Sequence, residues 1–167
     1  MRWVALLLVL VVHGVCAETI QGKVIRIADG DTLTILDSAK HEFKIRLAGI
    51  DAPERRQAHY ETARQNLARL AFGKPVIVEW HKRDRYGRLV GTVAADKLDL
   101  GLAQVQAGQA WWFRQYAHEQ TPLDRSRYET AEAEARANQR GLWKTGKPVP
   151  PWEWRQAKGA LEYRARK

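Results

Sequence analysis

The chain has 167 residues, room for one domain with a single core, and its 28 lysines and arginines against 19 acids give a net charge of +9. A single cysteine, Cys16, excludes an internal disulfide framework and a cysteine-ligated zinc site. The basic excess points to a polyanionic partner, whether nucleic acid, a heparin-like polymer or anionic lipid, and charge alone does not choose among them.

Residues 1–17 read as a secretory signal peptide. Arg2 is a short positive start, Trp3 to Val12 is an apolar run too short to span a bilayer, and Val15-Cys16-Ala17 offers small residues for cleavage. A lipid-modified Cys16 is the competing reading, but His13-Gly14-Val15 lacks the leucine and small-residue pattern expected before such a cysteine. Cleavage after Ala17 leaves 27 of the basic residues and all 19 acids, a net charge of +8, with no cysteine, so stability must come from packing.

Lys23 to Ile27, Thr32 to Leu36 and Glu42 to Leu47 read as three short strands separated by Asp29-Gly30 and by Asp37-Ser38-Ala39-Lys40, both turn-forming. In the third, Phe43, Ile45 and Leu47 alternate with Lys44 and Arg46, so the apolar trio faces a core and Arg46 the opposite side, where it can serve a site. The period becomes helical from Gln57 to Phe72, with Ala63, Leu67, Leu70 and Ala71 on one face and Gly73 as the stop. Pro75 restarts the chain. Val76 to Trp80 and Leu89 to Ala94 then read as strands joined across Arg83 to Gly87, giving five strands with a helix inserted after the third, an order that suits a small closed barrel.

A second helix is expected from Leu98 to Ala107, with Leu98, Leu102 and Val105 inward and Gly108 as its stop. A third follows, with Thr121 as N-cap, Pro122 at the first helical position, Tyr128, Ala131 and Ala135 on one face and Gly141 at the end. Lys144 to Pro151 reads as an extended spacer to Trp152-Glu153-Trp154 and a basic end with Arg155, Lys158, Arg164, Arg166 and Lys167. The expected class is α+β, with a signal at 1–17, a barrel and three packed helices over 18–143, and a basic extension over 144–167.

Acids and arginines recur at three punctuated places: Asp29-Gly30-Asp31-Thr32, the run from Arg46 through Asp51-Ala52-Pro53-Glu54, and Asp84-Arg85-Tyr86-Gly87-Arg88. Hydrolysing a phosphodiester needs a hard cation to neutralise the phosphate, a carboxylate to deprotonate water, and guanidinium forks to hold the charge that builds on phosphorus. Singly, each run is an ordinary turn or helix start, and Asp29 is read as a turn residue. Together they point to a nuclease. The acids do not fit an EF-hand, because Leu33 stands at the third ligand position, and His41, His59, His81 and His118 show no metal-ligand spacing. Trp80, Trp111, Trp112 and Trp143 read as core or sheet-covering aromatics, and Trp152 and Trp154 as packing the tail back onto the domain. A sharper reading has Trp154 with Arg155 and the terminal basic residues extend a nucleic-acid groove.

Over roughly Thr19 to Trp143 these elements, in this order, resemble the staphylococcal nuclease family. The resemblance implies a five-stranded OB-fold barrel with three helices and a secreted, calcium-dependent enzyme that cuts DNA and RNA. Residue by residue, Asp31 and Asp51 match the family's calcium carboxylates, and Ala52 the position whose backbone carbonyl joins them. The founding member has a threonine there, but a carbonyl ligand does not need that side chain. Glu54 matches the general base, acting through a metal-associated water. Arg46 and Arg88 match the arginines that hold the scissile phosphate, Tyr86 matches a tyrosine beside the nucleotide phosphate, and Tyr116 is the candidate base-stacking aromatic. Calcium takes six to eight oxygens, so two aspartates, a carbonyl, waters and a phosphate oxygen would complete its shell. It acidifies water weakly, which leaves proton removal to Glu54.

The implied protein is a monomeric, sugar-nonspecific endonuclease or exonuclease of single-stranded DNA and RNA that leaves 3'-phosphate ends. It is secreted or periplasmic, with no membrane association after signal cleavage. The alternative is a non-catalytic nucleic-acid-binding module on the same barrel, and a polysaccharide-binding envelope protein ranks third. Degenerate binding copies tend to lose the site's acids and arginines, whereas Asp31, Arg46, Asp51, Glu54 and Arg88 are all present here.

Overall fold

The computed structural model describes residues 18–165; the signal expected at 1–17, with Cys16, lies outside them. The first strand, β1 (Glu18–Ile27), is ten residues long and serves two neighbours. Its first half pairs antiparallel with β5 (Pro75–Arg83), and from Lys23 onward it pairs antiparallel with β2 (Thr32–Leu36), with a register shift between Val24 and Arg26. Such a shift bends a strand and lets one strand turn a barrel corner. β2 pairs with β3 (Glu42–Leu47) antiparallel, and β5 pairs likewise with β6 (Leu89–Ala95). A parallel pairing of β3 with β6, from Ile45↔Leu89 to Leu47↔Gly91, closes the circuit. The result is the closed five-stranded barrel that the order of elements suited, in an α+β domain with the OB-fold that the resemblance implied.

Gly91 lies at the seam, opposite Trp80 on one side and Leu47 on the other. A Cβ there would stand 2.3 Å from the Glu79 carbonyl oxygen and 2.8 Å from Trp80 Cα, so only glycine allows the closing strands to approach. Val24, Leu33, Ile35, Ile45, Leu47, Val76, Val78, Leu89 and Val93 fill the barrel. Alternation in β3 works as the pattern requires: Ile45 and Leu47 are buried, Phe43 packs at the edge of the core, and Arg46 faces the other way.

Two short pairings lie outside the barrel circuit. β4 (Ile50–Asp51) pairs with β8 (Trp111–Trp112), and β7 (Leu98–Asp99) extends β6 at the sheet edge. The helix α1 (Tyr60–Ala71) starts later than the apolar pattern suggested, because His59 adopts a left-handed backbone (φ 67°) that a helix cannot include. It buries Ala63, Asn66, Leu67 and Ala71, and Gly73 (φ +76°) follows its end. α2 (Leu100–Gln106) also begins late: Leu98 is taken into β7, and the Asp99 side chain caps the helix by accepting from Leu102 N. Leu98, expected to face inward, is therefore exposed, and Leu100 takes its place in the core.

α3 (Pro122–Ala137) is capped as expected, Thr121 Oγ1 accepting from Asp124 N at 3.1 Å, with Tyr128, Ala131 and Ala135 buried. It ends at Ala137 rather than running to Gly141, and Asn138 closes it by donating from Nδ2 to the Glu134 carbonyl at 2.8 Å. Gly141 opens a 3₁₀ turn (Gly141–Thr145) that buries Leu142 and Trp143. The tail then forms a fourth helix, α4 (Pro151–Ala165), that no apolar period announces. Pro151 is buried and Trp152 and Trp154 half-buried, while residues 156–160 are exposed, so the contacts concentrate in its first turn. Among the described residues no helix is long and apolar enough to cross a membrane.

Candidate active site

Asp31 directly precedes β2, after a turn that only glycine can make. A Cβ on Gly30 would lie 2.7 Å from the Cβ atoms of both Ala52 and Ala63, so Gly30 lets the turn sink between α1 and the loop that follows β4. The buried Asp31 carboxylate is then held from two sides, accepting from Thr32 Oγ1 at 3.0 Å and from Ala52 N at 2.8 Å. Asp51 is fixed by the ladder between β4 and β8, where it pairs with Trp111. Arg46 leaves the outer face of β3 and places one Nη2 between the two acids, 3.1 Å from Asp31 and 2.9 Å from Asp51, while its Nη1 donates to the Leu47 carbonyl at 2.9 Å.

Glu54 stands in the turn before α1. Its backbone N–H donates to Gln57 Oε1 at 2.9 Å, which sets the carboxylate at the rim with 39 % of the side chain exposed. Arg88 reaches the same space from β6's approach loop. Its Nε donates to Asp84 Oδ2 at 2.6 Å and its Nη1 to Thr32 Oγ1 at 3.3 Å. Asp84 also accepts from the backbone of Tyr86 and Arg88. Burial alone would raise its carboxyl, but the Arg88 side chain and these two amides outweigh burial and hold it below the ordinary range.

The structure brings together every residue that the sequence named for the site. Asp31, Arg46, Asp51, Ala52, Glu54, Tyr86, Arg88 and Tyr116 all line one open cleft of about 1020 Å³. Tyr86 is largely exposed, flanked by the guanidinium groups of Arg85 at 5.1 Å and Arg88 at 5.4 Å from its ring centre. Tyr116 lies across the cleft, edge-on to Phe113 at 5.0 Å with the Lys82 ammonium 5.0 Å above its ring. Aromatic faces backed by cations at a cleft rim suit bases and phosphates.

Two carboxyls at the floor are raised above the ordinary carboxylate range. Burial, with the charge of Asp31 adding to it, pushes the Asp29 carboxyl up to about 7. Burial likewise raises Asp51, and the guanidinium groups beside it offset this only in part. A bound positive charge would relieve both. The donors available are carboxylate and carbonyl oxygens, with neither sulfur nor imidazole among them, which suits a hard cation such as calcium. Among the described residues no three acidic, histidine or cysteine side chains converge as a metal cage.

Several supporting residues carry no signal in the sequence. Gln104, fully buried in α2, donates from Nε2 to the Gly30 carbonyl at 2.6 Å and the Ala63 carbonyl at 3.0 Å, and accepts from Asn66 at 2.5 Å. It ties the turn that carries Asp31 to α1. Its spacing of four from the buried Leu100 was the one available hint. Gln104→Leu is expected to cost about 2–4 kcal/mol, because it strands two buried carbonyls and an amide. A urea unfolding midpoint equal to the parent's would count against this. Asp29 keeps its turn role by accepting from Asp31 N at 3.0 Å, but it also lines the cleft. Gln57 and Arg155 were likewise not foreseen as parts of the floor, since both act through the tail.

A family model described as a staphylococcal nuclease homologue matches residues 44–145. Over 144 residues the chain is 42% identical to an uncharacterized endonuclease of Escherichia coli, covering 86% of this chain and 89% of that protein. It is 39% identical over 166 residues to a micrococcal nuclease of Shigella flexneri, covering 94% and 92%. A probable staphylococcal-like nuclease of Oryza sativa subsp. japonica is 34% identical over 134 residues, which are 80% of this chain and 33% of that longer protein.

Proposed function

The chain belongs to the staphylococcal nuclease family and is a phosphodiester-hydrolysing nuclease, and from that premise we propose a calcium-dependent enzyme that cuts single-stranded DNA and RNA without regard to the sugar and leaves 3'-phosphate ends. The observation that carries the proposal is the single cleft in which Asp31 and Asp51 share one guanidinium nitrogen while Glu54 and Arg88 stand at its rim. Asp31, Asp51 and the Ala52 carbonyl would hold the ion. When bound, calcium supplies positive charge to the scissile phosphate and a place for water beside it.

The chain's own residues do the rest. Glu54 takes a proton from the attacking water as the water's oxygen bonds to phosphorus; the bond to the 5'-oxygen breaks, that oxygen leaves as a hydroxyl after taking a proton from solvent water, and the phosphate stays on the 3' side. Arg46 and Arg88 present planar forks to the equatorial oxygens as negative charge accumulates there, which an ammonium point charge would match less well. Asp84 and Thr32 keep the Arg88 fork aimed into the cleft. Tyr86 and Tyr116 accept the flanking phosphate and a base by contact and stacking. The protein works as a monomer and, on the reading of residues 1–17, is secreted or periplasmic.

The test is release of acid-soluble product from single-stranded DNA and RNA by the protein without residues 1–17, with calcium and with chelator. Cleavage of both polymers that needs calcium is the expected result. Tight DNA binding without cleavage under any divalent cation would instead favour the binding module.

A further inference from the structure

Resting on the calcium reading of the site, we propose that Arg155 of α4 is an active-site residue that stands in for the cation, neutralising Asp51 and Glu54 in the metal-free protein and yielding them when a divalent ion binds. Its Nη2 lies 2.8 Å from Asp51 Oδ2, and its Nη1 lies 3.3 Å from Asp51 Oδ1 and 2.6 Å from Glu54 Oε1. One planar fork thus joins the proposed metal ligand to the proposed base. With Arg46 Nη2 already on Asp51 Oδ1, both oxygens of this buried carboxylate are occupied by guanidinium groups. Oδ1 accepts from both guanidinium groups and Oδ2 from Arg155 alone, so a cation on this carboxylate would share or displace those contacts with a like charge beside it.

The arm that delivers Arg155 is built for one place. Trp152, three residues earlier and so on the same helical face, stacks on Phe113 with ring centres 5.4 Å apart and planes 8° from parallel, and meets Trp111 edge-on at 6.4 Å. Gln57, whose Oε1 holds the Glu54 amide, donates from Nε2 to the Val149 carbonyl at 2.6 Å. A single side chain therefore ties the turn of the base to the segment entering α4. Beyond Arg155 the helix is exposed through residue 160, and α4 as a whole lies past the residues that match the family model. The contacts of Trp152 and of the segment at Val149 flank Arg155, which enters the floor.

An exposed ion pair would matter little, but here one partner, Asp51, is 2 % exposed, so the guanidinium and a cation compete for the same buried charge. By linkage, what the ion must displace weakens its binding, and removing it strengthens binding.

Calcium is titrated into the full chain without residues 1–17, its Arg155→Ala and Arg155→Lys variants, by calorimetry at fixed ionic strength. Arg155→Ala is expected to bind calcium about tenfold more tightly than the parent, and Arg155→Lys, which keeps a charge but loses the fork, to fall between them. Adding Asp31→Asn to Arg155→Ala should abolish the gain, which locates it at this site. Affinities of the parent and Arg155→Ala within twofold of each other, or weaker binding by the variant, would overturn the inference while leaving the calcium reading intact. Calcium bound by none of the proteins would overturn both.

Discussion

Glu54→Gln is expected to lower kcat on single-stranded DNA by roughly 10²–10⁴-fold, the range a positioned general base contributes, with KM close to the parent's. Glutamine keeps the length of the side chain, and the backbone bond from residue 54 to Gln57 does not depend on the carboxylate. What it loses is an oxygen basic enough to take the water proton. Because calcium acidifies water weakly, no other group in the proposed mechanism can supply that basicity cheaply, and the deficit should appear in the chemical step alone. Steady-state and single-turnover rates together check this. A loss under tenfold would mean that another acceptor removes the proton, and Glu54 would then be a rim carboxylate that pairs with Arg155.

The parts of this site that the sequence displays are those whose cause is local. Alternation along β3 places Arg46 opposite Ile45 and Leu47, a consequence of strand geometry that needs no partner to be known. The Gly30 turn and the Asp84 turn are legible for the same reason, since side-chain-to-backbone bonds within a few residues define them. Thr121 and Pro122 mark the start of α3 by the same short-range chemistry. Where the cause is distant, the pattern is silent. Leu98 looks like the first inward residue of a helix until β6 recruits it into a two-residue ladder. Nothing in the sequence singles out Gln104, because its partners, Gly30 and Ala63, are 74 and 41 residues away. Arg155 meets Glu54 across 101 residues, and the buried and half-buried positions described in α4 are Pro151, Trp152 and Trp154, too few to make an apolar stripe. The sharper reading of the tail turns Arg155 toward the groove, but a basic tail with two tryptophans does not tell that this arginine ends on Asp51 and Glu54.

Arg46→Ala should separate two jobs that one side chain performs. As a phosphate fork its loss is expected to cost 10²–10³-fold in rate, about 2.7–4 kcal/mol of transition-state stabilisation. As the shared partner of Asp31 and Asp51, both nearly buried, its loss leaves two carboxylates facing each other with only Arg155 against one of them. Removing one member of a buried ion pair typically costs about 3–5 kcal/mol, so in chelator the variant should unfold at clearly lower urea than the parent. Calcium should then recover stability, by about 2.7 kcal/mol at a hundred times its dissociation constant, without recovering activity, since an ion can neutralise the acids but cannot replace a fork on the phosphate. Arg46→Lys should show the complement: a charge kept between the acids, near-parental stability, and most of the rate still lost. An Arg46→Ala protein as stable as the parent in chelator would show that Asp31 and Asp51 do not depend on this guanidinium, and the shared nitrogen would lose its place as the organising contact of the floor.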